Sequence, residues 1–303
     1  MLRQWFLFLS RRRTLRRWME TSSVARKWTG RFIAGQNLED CLEVAARLAA
    51  SGFRSSLDHL GENVSSAAEA DQARACYEQA LHALSGMDLG ATISVKLTQL
   101  GLDLSQELCF DHARRLCLRA AEAGSRVEFD MESSEYTDRT LAIVERLHAE
   151  TGCVRAVVQA YLYRTEQDIE RLNRLRVPVR LCKGAYSEGP SVAFPSKADV
   201  DRNYVRLTEL LLDGGADPAL ATHDPAMIEA AKQHARRTGR SSDAYEFQML
   251  YGVRRDLQEQ LRASGYRVRL YVPYGDAWYP YFMRRLAERP ANVVFIARNL
   301  FRR

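Results

Sequence analysis

Short apolar runs alternate with longer segments of helical period along the chain after residue 45. Repeated strand–helix units of this kind are typical of a parallel sheet covered by helices. The segment from Thr137 to Ala149 has apolar residues at helical spacing, and the segment from Asp199 to Leu212 has a similar period. Eight strands are predicted, with bounds Phe53 to His59, Ala91 to Leu97, Arg126 to Met131, Val154 to Leu162, Val177 to Cys182, Ala219 to His223, Ala244 to Met249 and Val268 to Val272.

The number of strands decides between two parallel architectures. An open doubly wound sheet usually has fewer strands and binds its cofactor at an early glycine-rich turn, but the sequence contains neither G-x-G-x-x-G nor a Walker motif. We therefore predict an α/β protein that forms a (β/α)8 TIM-type barrel, which 303 residues can build as one domain. Residues 1–45 are expected to form an N-terminal helical arm and residues 46–303 the catalytic barrel, with a C-terminal helix closing over its mouth. The segment from Ser187 to Ser196 is expected to be a long loop after the fifth strand, in a position typical of lids.

Charge and cysteine content limit the binding partners and the cellular compartment that we expect for the protein. The net charge is +6, and much of it comes from arginines within residues 1–31, beside the apolar run from Trp5 to Leu9. This run is too short for a membrane span of ~20 residues, but a basic aromatic helix can lie on an anionic membrane surface. A basic helix packed on the barrel exterior is the simpler interpretation, and no nucleic-acid-binding module follows it. The six cysteines lack metal-ligand spacing, so we expect no metal site, no disulfide framework and a reducing, cytoplasmic compartment.

Seven of the eight predicted strands carry polar residues near their ends, where barrel enzymes place their chemistry. Burying such groups without partners costs several kcal/mol, so their recurrence at one end of the barrel implies mutual pairing or contact with a ligand. Any single member also has a structural interpretation, such as an ion pair between Lys96 and Asp130 or a hydrogen-bonded core histidine at His223. The set is Lys96, Asp130, Gln159, Arg180, Lys183, Thr222, His223, Glu246, Gln248 and Tyr271.

The last predicted helix carries a further set of polar residues. Tyr281, Arg284, Arg285 and Glu288 recur at i, i+3, i+4 and i+7, so they share one face of the helix. Two neighbouring guanidinium groups are suited to binding a carboxylate, and Glu288 can hold Arg284 in position. A solvated basic face is the alternative, but the strand-end residues favour a binding role.

Seven blocks of sequence carry a more specific signal. They are Ser94–Leu97, Glu128–Glu132, Val158–Leu162, Arg180–Tyr186, Thr222–Asp224, Tyr245–Gly252 and Tyr271–Gly275 leading into Tyr281–Arg285. In these blocks the chain resembles the FAD-dependent proline dehydrogenases of the monofunctional bacterial type, and the N-terminal arm lies outside the resemblance. The resemblance implies oxidation of L-proline to Δ1-pyrroline-5-carboxylate by hydride transfer to the flavin, as the first step of proline degradation to glutamate. It also implies that the electrons pass on to a quinone.

The resemblance assigns roles to individual residues. Arg284 and Arg285 would bind the proline carboxylate with help from the charge of Lys96. Asp130 would pair with Lys96 and order the site, and Arg180 would lie against the flavin near its N5. The pyrrolidine ring would be enclosed by Leu181, Tyr271 and Tyr281. FAD would be bound by Met131, Gln159, Arg180, Lys183, Gly184, Ala185, Tyr186, Lys197, Thr222, His223 and Gln248.

Three other functions stay open. Lys96 or Lys183 can be a Schiff-base nucleophile, as in barrel aldolases. A flavoenzyme that resembles methylenetetrahydrofolate reductase is another candidate, although a helix with Arg284 and Arg285 favours a small amino acid as the substrate. The third is a barrel without activity that serves as a membrane-associated binding module. For the main hypothesis, the sequence identifies no base that takes the proton of the substrate amine.

Overall fold

A computed structural model of the chain describes residues 30–61, 63–279 and 281. Eight parallel strands close into a barrel in sequence order, and β8 pairs with β1. The predicted (β/α)8 barrel and its eight strands are therefore confirmed. The strands are β1 (Arg54–His59), β2 (Thr92–Lys96), β3 (Val127–Asp130), β4 (Val154–Gln159), β5 (Val179–Cys182), β6 (Ala219–Ala221), β7 (Glu246–Leu250) and β8 (Arg267–Tyr274).

Within the described residues, one α-helix precedes β1 and one follows each of β1 to β7, with short 3-10 helices at Leu97–Leu100 and Ser134–Tyr136. The first of them packs on β1 and β8, and the predicted boundary at residue 45 falls inside it. Residues 1–29 of the predicted arm, and residues 282–303 with most of the predicted closing helix, lie outside the described residues. The helices are α1 (Leu38–Ala50), α2 (Ala67–Leu84), α3 (Gln106–Glu122), α4 (Thr137–Thr151), α5 (Thr165–Arg174), α6 (Lys197–Gly214), α7 (Pro225–Thr238) and α8 (Arg255–Ala263).

The helices cover the barrel with their apolar faces. In α4 the stripe read from the sequence is buried, because Leu141, Ile143, Val144 and Leu147 recur at helical spacing and pack on the outer face of the strands. Outward-facing strand residues complete this layer. The hydrophobic core therefore lies between strands and helices.

Capping residues fix the starts of the two helices that follow β5 and β6. Ser196 Oγ accepts a hydrogen bond from the backbone N–H of Asp199 at 3.1 Å, which starts α6. Asp224 Oδ1 accepts from the backbone N–H of Ala226 at 3.1 Å, and Pro225 stands in the first turn of α7, where its missing N–H is no loss. Both caps lie at the carboxyl rim of the barrel, so they position the loops that follow these strands.

The loop between β5 and α6 is long, as predicted. It is tied to the loop after β4, because Leu162 and Ala193 form an antiparallel bridge. The rings of Tyr163 and Phe194 meet edge to face with centroids 4.6 Å apart. A lid function of this loop stays a prediction.

The inside of the barrel is polar, whereas barrels of this type are usually filled with branched aliphatic side chains. Arg155 is fully buried there, and its Nη1 donates to Glu246 Oε1 at 2.5 Å and to Glu128 Oε1 at 3.3 Å. Arg269 Nε also donates to Glu246 Oε1, at 2.8 Å. The expectation that the strand charges gather at one end was wrong for Glu246, which is the first residue of β7 and belongs to this ion network nearer the amino ends of the strands.

Candidate active site

Asp130, the last residue of β3, is the centre of a charged cluster at the carboxyl ends of the strands. One carboxylate oxygen accepts a hydrogen bond from Arg180 Nη2, and the other accepts from the Tyr271 hydroxyl at 2.7 Å. Lys96 Nζ lies 3.6 Å from Asp130 Oδ2. Four of the predicted site residues, carried by β2, β3, β5 and β8, therefore meet at one point.

The charges of Asp130 and Arg180 stabilise each other. Burial by itself would raise the pKa of Asp130, but the charges of Arg180 and Lys96 outweigh it and hold the pKa below its usual range. Burial disfavours the charged guanidinium, yet Asp130 and Glu128 raise the pKa of Arg180 above its usual value. Both groups are therefore charged at neutral pH.

Arg180 is held in one orientation by the barrel interior. Its Nη1 donates to Ser94 Oγ at 3.1 Å, to Glu128 Oε2 at 3.2 Å and to Gln248 Oε1 at 3.2 Å. Its Nε is buried and has no hydrogen-bond acceptor among the described residues. Glu128 was not among the predicted site residues, although its alternation with Asp130 along β3 places both side chains inside the barrel. Arg180 is therefore held through both terminal nitrogens of its guanidinium group.

Asp58 at the end of β1 is a site residue that the sequence reasoning missed. It is 1% exposed, and Lys96 Nζ lies 3.9 Å from its Oδ1. Neither carboxylate oxygen has a hydrogen-bond donor within bonding distance among the described residues, because the nearby Tyr271 hydroxyl donates to Asp130 instead. Burial raises the pKa of Asp58, whereas Lys96 and the Tyr271 hydroxyl lower it and Asp130 adds to the rise. The sequence does contain a signal for it. Asp58 is an acidic residue near the end of β1, the one predicted strand that supplied no candidate site residue.

The predicted cofactor lysines lie at the rim after β5. Lys183 Nζ donates to Asp201 Oδ1 at 2.5 Å and to Asp224 Oδ2 at 2.9 Å, and Lys197 donates to the other oxygen of Asp201. Neither acid was a predicted site residue. Burial would raise the pKa of Asp201, but its hydrogen bonds with the two lysines lower it. The lysines are therefore positioned by acids near the start of α6 and α7.

Two further predicted cofactor residues lie between β6 and β7. His223 Nε2 accepts a hydrogen bond from the backbone N–H of Leu250 at 2.9 Å, which leaves Nδ1 as the protonated nitrogen of the neutral ring. The backbone N–H of Thr222 donates to the carbonyl of Gln248 at 3.1 Å. Gln248 is buried, and its Nε2 donates to Glu128 Oε2 at 3.0 Å. These contacts connect the rim to the interior network that holds Arg180.

The loop after β5 requires glycine at position 184. Gly184 has φ +114°, and a Cβ there would lie 2.3 Å from Cδ1 of Tyr161. Ala185 and Tyr186 follow it and are exposed at the rim. On the neighbouring strand, Gln159 Nε2 donates to the carbonyl of Glu132 at 2.9 Å. The loop is therefore pressed on the ring of Tyr161, and Gly184 is a packing requirement as well as a predicted cofactor contact.

The remaining predicted residues are placed as follows. Leu181 alternates with Arg180 along β5 and is fully buried in the hydrophobic core, so the structure does not bring it into the charged cluster. Met131 and Tyr281 are buried. Arg284 and Arg285 lie outside the described residues.

Over residues 30–61, 63–279 and 281, no group of three or more His, Cys, Asp or Glu side chains is arranged to hold a metal ion. In the same ranges no helix is both long and apolar enough to cross a membrane.

Comparisons with known proteins agree with the geometry. A family model described as proline dehydrogenase matches residues 41–298. Proline dehydrogenase 1 of Bacillus subtilis (strain 168) is 40% identical over 303 residues, which are 100% of both chains. Proline dehydrogenase of Deinococcus radiodurans is 40% identical over 277 residues, which are 90% of this chain and 89% of the relative.

A solved structure of proline utilization A (PutA) from Bdellovibrio bacteriovorus superposes on the chain with a TM-score of 0.80 at 26% identity. The superposition covers 87% of this chain and 33% of that longer protein. The similarity therefore extends over most of this chain but corresponds to one part of the PutA chain.

Proposed function

Because the chain belongs to the proline dehydrogenase family, we propose that it oxidises L-proline to Δ1-pyrroline-5-carboxylate with FAD as its cofactor, the first step of proline degradation to glutamate. The observation that carries the proposal is the fixed charged cluster of Asp130, Arg180, Lys96 and Tyr271 at the mouth of the barrel. Such a cluster presents oriented charges to a small zwitterionic substrate without having to reorganise when the substrate binds.

The residues present fit a flavin. The buried Nε of Arg180 lacks an acceptor among the described residues, and a ring nitrogen or oxygen of the flavin would supply one. Lys183 and Lys197 are cations near the N-termini of α6 and α7, an arrangement suited to the pyrophosphate. His223, held by the hydrogen bond from the backbone of Leu250, would contribute its Nδ1–H as a further donor. When bound, FAD would supply the acceptor for the hydride.

The protein would orient the substrate through its charges. We propose that Arg284 and Arg285 bind the proline carboxylate and that Lys96 adds its positive charge. Fixing the carboxylate would place the ring carbon beside the nitrogen at the flavin, and a positioned reactant reacts much faster than a free one. Arg180, charged and immobile, would stabilise the negative charge that hydride transfer brings to the cofactor.

Steady-state kinetics with L-proline and a soluble quinone test this proposal, together with identification of the released cofactor by mass. We expect FAD, and we expect Arg285→Met to raise the KM for proline strongly while the bound flavin stays in place. Arg262→Met is the matched control, because the contacts of Arg262 within the described residues are with exposed Glu259 on α8 and with the ring of Phe53. Proline kinetics of Arg285→Met equal to those of the control would refute the carboxylate assignment.

We also propose a quinone as the electron acceptor and a peripheral position on the inner face of the cell membrane. The basic residues and the apolar run near the N-terminus support this, because a polybasic segment is attracted to anionic lipid. All six cysteines are free, which is in keeping with a reducing, cytoplasmic compartment. Co-sedimentation with anionic vesicles would compare the full chain with a variant carrying glutamine at Arg11, Arg12 and Arg13. Equal binding would remove the role of this segment.

A Schiff-base mechanism is disfavoured by the contacts of both candidate lysines. Lys96 lies between Asp58 and Asp130, and Lys183 lies between Asp201 and Asp224. Each amine is therefore engaged by two carboxylates, whereas a Schiff-base lysine needs its nitrogen free to attack a carbonyl. Borohydride trapping with a carbonyl substrate should therefore leave both lysines unmodified.

A further inference from the structure

The reaction needs a group that takes a proton, because proline is an ammonium ion at neutral pH and its nitrogen must be neutral when the hydride leaves. We propose that Asp58 is the proton acceptor for the substrate ammonium, an inference that rests on the proposed function. Asp58 is buried at the mouth of the barrel beside Lys96 and Asp130, and neither of its oxygens accepts a hydrogen bond among the described residues.

The register of β1 places Asp58 inside the barrel. Asp58 pairs with Ser94 of β2, and two residues earlier Ser56 Oγ donates to Ser94 Oγ at 3.2 Å across the interior. Because side chains alternate between the two faces of a strand, Asp58 lies on the same face as Ser56. Asp58 is two residues further along β1 than Ser56, so it lies closer to the mouth of the barrel. The ionisable groups close enough to influence it are Lys96, Asp130, Arg180, Tyr271, Tyr274, Cys41 and Tyr77.

The other buried acids of the interior do not have free acceptor positions of this kind. Glu128 accepts hydrogen bonds from Thr92, Arg155, Arg180 and Gln248. Asp130 accepts from Arg180, Tyr271 and Ser94. An acid that only supports the fold would be bonded in the same way, because an unbonded buried carboxylate is destabilising. The vacant acceptor positions of Asp58 therefore point to a donor that arrives with the substrate.

The chemical environment also suits a base. Burial raises the pKa of Asp58, so its carboxylate binds a proton more readily than an exposed aspartate does. The charge of Lys96 acts in the opposite direction and favours the ionised carboxylate. Asp130 has its pKa lowered and is the poorer acceptor of the two.

The step balances as follows. One N–H bond of the secondary ammonium breaks, the proton forms an O–H bond on Asp58, and the electron pair stays on nitrogen. The nitrogen lone pair then forms the C=N bond as the C–H bond of the adjacent ring carbon breaks, and bound FAD would supply the acceptor for the hydride. The two electrons that proline loses leave with that hydride, and Asp58 returns its proton to water before the next turnover.

Asp58→Asn in the FAD-loaded full chain tests this inference. We expect the rate of anaerobic flavin reduction by L-proline to fall about 100-fold or more. The wild-type rate should rise with pH as Asp58 loses its proton, and this limb of the pH profile should be absent in the variant. Asp58→Glu, which keeps a carboxylate, should regain part of the rate and the limb. Asp138→Asn is the control, because Asp138 is 83% exposed and pairs with Arg164.

Two readouts separate a base from a structural residue. Tetrahydrofuran-2-carboxylate has the carboxylate of proline but a ring oxygen in place of the nitrogen, so its Kd should change less than about twofold in Asp58→Asn. The thermal midpoint should stay equal or rise, because the substitution removes an unbonded buried charge.

A wild-type rate and pH profile in Asp58→Asn would overturn the inference. A variant that unfolds, loses FAD or binds the analogue much more weakly would overturn it as well, because each result shows a structural role. If proline does not reduce even the wild-type protein, the proposed function is refuted instead. The thermal midpoints of the wild type and of Asp58→Asn then still show whether Asp58 stabilises the fold.

Discussion

Replacing Arg155 by methionine should test whether the ion network inside the barrel supports the fold. Arg155 is fully buried and donates to Glu246 at 2.5 Å, to Glu128 at 3.3 Å and to Asp217 at 2.6 Å. Methionine is close in length but has no charge and no donor. The variant would therefore leave Glu128 and Glu246, both fully buried, short of one cation.

The size of the effect follows from this burial. Removing one partner of a buried ion pair costs roughly 3–5 kcal/mol, because the remaining charge keeps its desolvation cost. Arg269 and Arg180 still contact the two carboxylates, which favours the lower half of that range. For a domain of this size, each kcal/mol lowers the thermal midpoint by roughly 2–4 °C. We therefore expect the midpoint to fall by on the order of 10 °C.

Thermal unfolding followed by far-UV circular dichroism measures this, with Arg119→Met as the control. Arg119 and Glu122 are 62% and 64% exposed, so solvent screens their pair and its loss should barely change the midpoint. Adding Glu246→Gln to Arg155→Met removes one orphaned charge and should recover part of the loss. A midpoint for Arg155→Met within about 2 °C of the control would refute the assignment of a stabilising role to the network.

Three further predictions follow from single contacts. Asp130→Asn should lower kcat/KM for proline about 100-fold with FAD retained, because Arg180 loses its charged anchor; unchanged kinetics would contradict this. Gly184→Ala should lower the ratio of flavin to protein absorbance, because a Cβ would overlap Tyr161; full occupancy would show that the loop can shift. The pKa of Asp217 is lowered to about 2, because charges and hydrogen bonds from arginines outweigh its burial. Its contribution, about 2 kcal/mol, is present above pH ~4 and lost as the pH falls toward 2. Asp217→Asn should therefore lower the thermal midpoint at pH 7 but not near pH 2, and a difference independent of pH would contradict this.

The architecture could be predicted because strand and helix have different periods. The strand-end residues could also be predicted, because neighbouring parallel strands end at the same level. Lys96 and Asp130 are paired partners in the register of β2 and β3, and their charged groups lie 3.6 Å apart. Neither inference needed the three-dimensional structure.

The interior network could not be predicted. A polar residue that faces the inside of a barrel has the same alternation as one that faces water, so Glu128 and Arg155 gave no distinct signal. In β1 only Leu57 separates Asp58 from two serines, and so polar a run is typical of a solvated strand. The acid Asp201 comes from a helix, and no spacing rule connects it with Lys183. Only the three-dimensional structure of the closed barrel shows that these residues are neighbours.

The most direct test of the proposed function is the visible spectrum of the purified protein under anaerobic conditions, before and after one equivalent of L-proline. We predict a yellow protein whose flavin absorption is bleached, with one equivalent of Δ1-pyrroline-5-carboxylate formed per flavin. A colourless protein, or a flavin spectrum that proline leaves unchanged, would contradict the function proposed for this barrel.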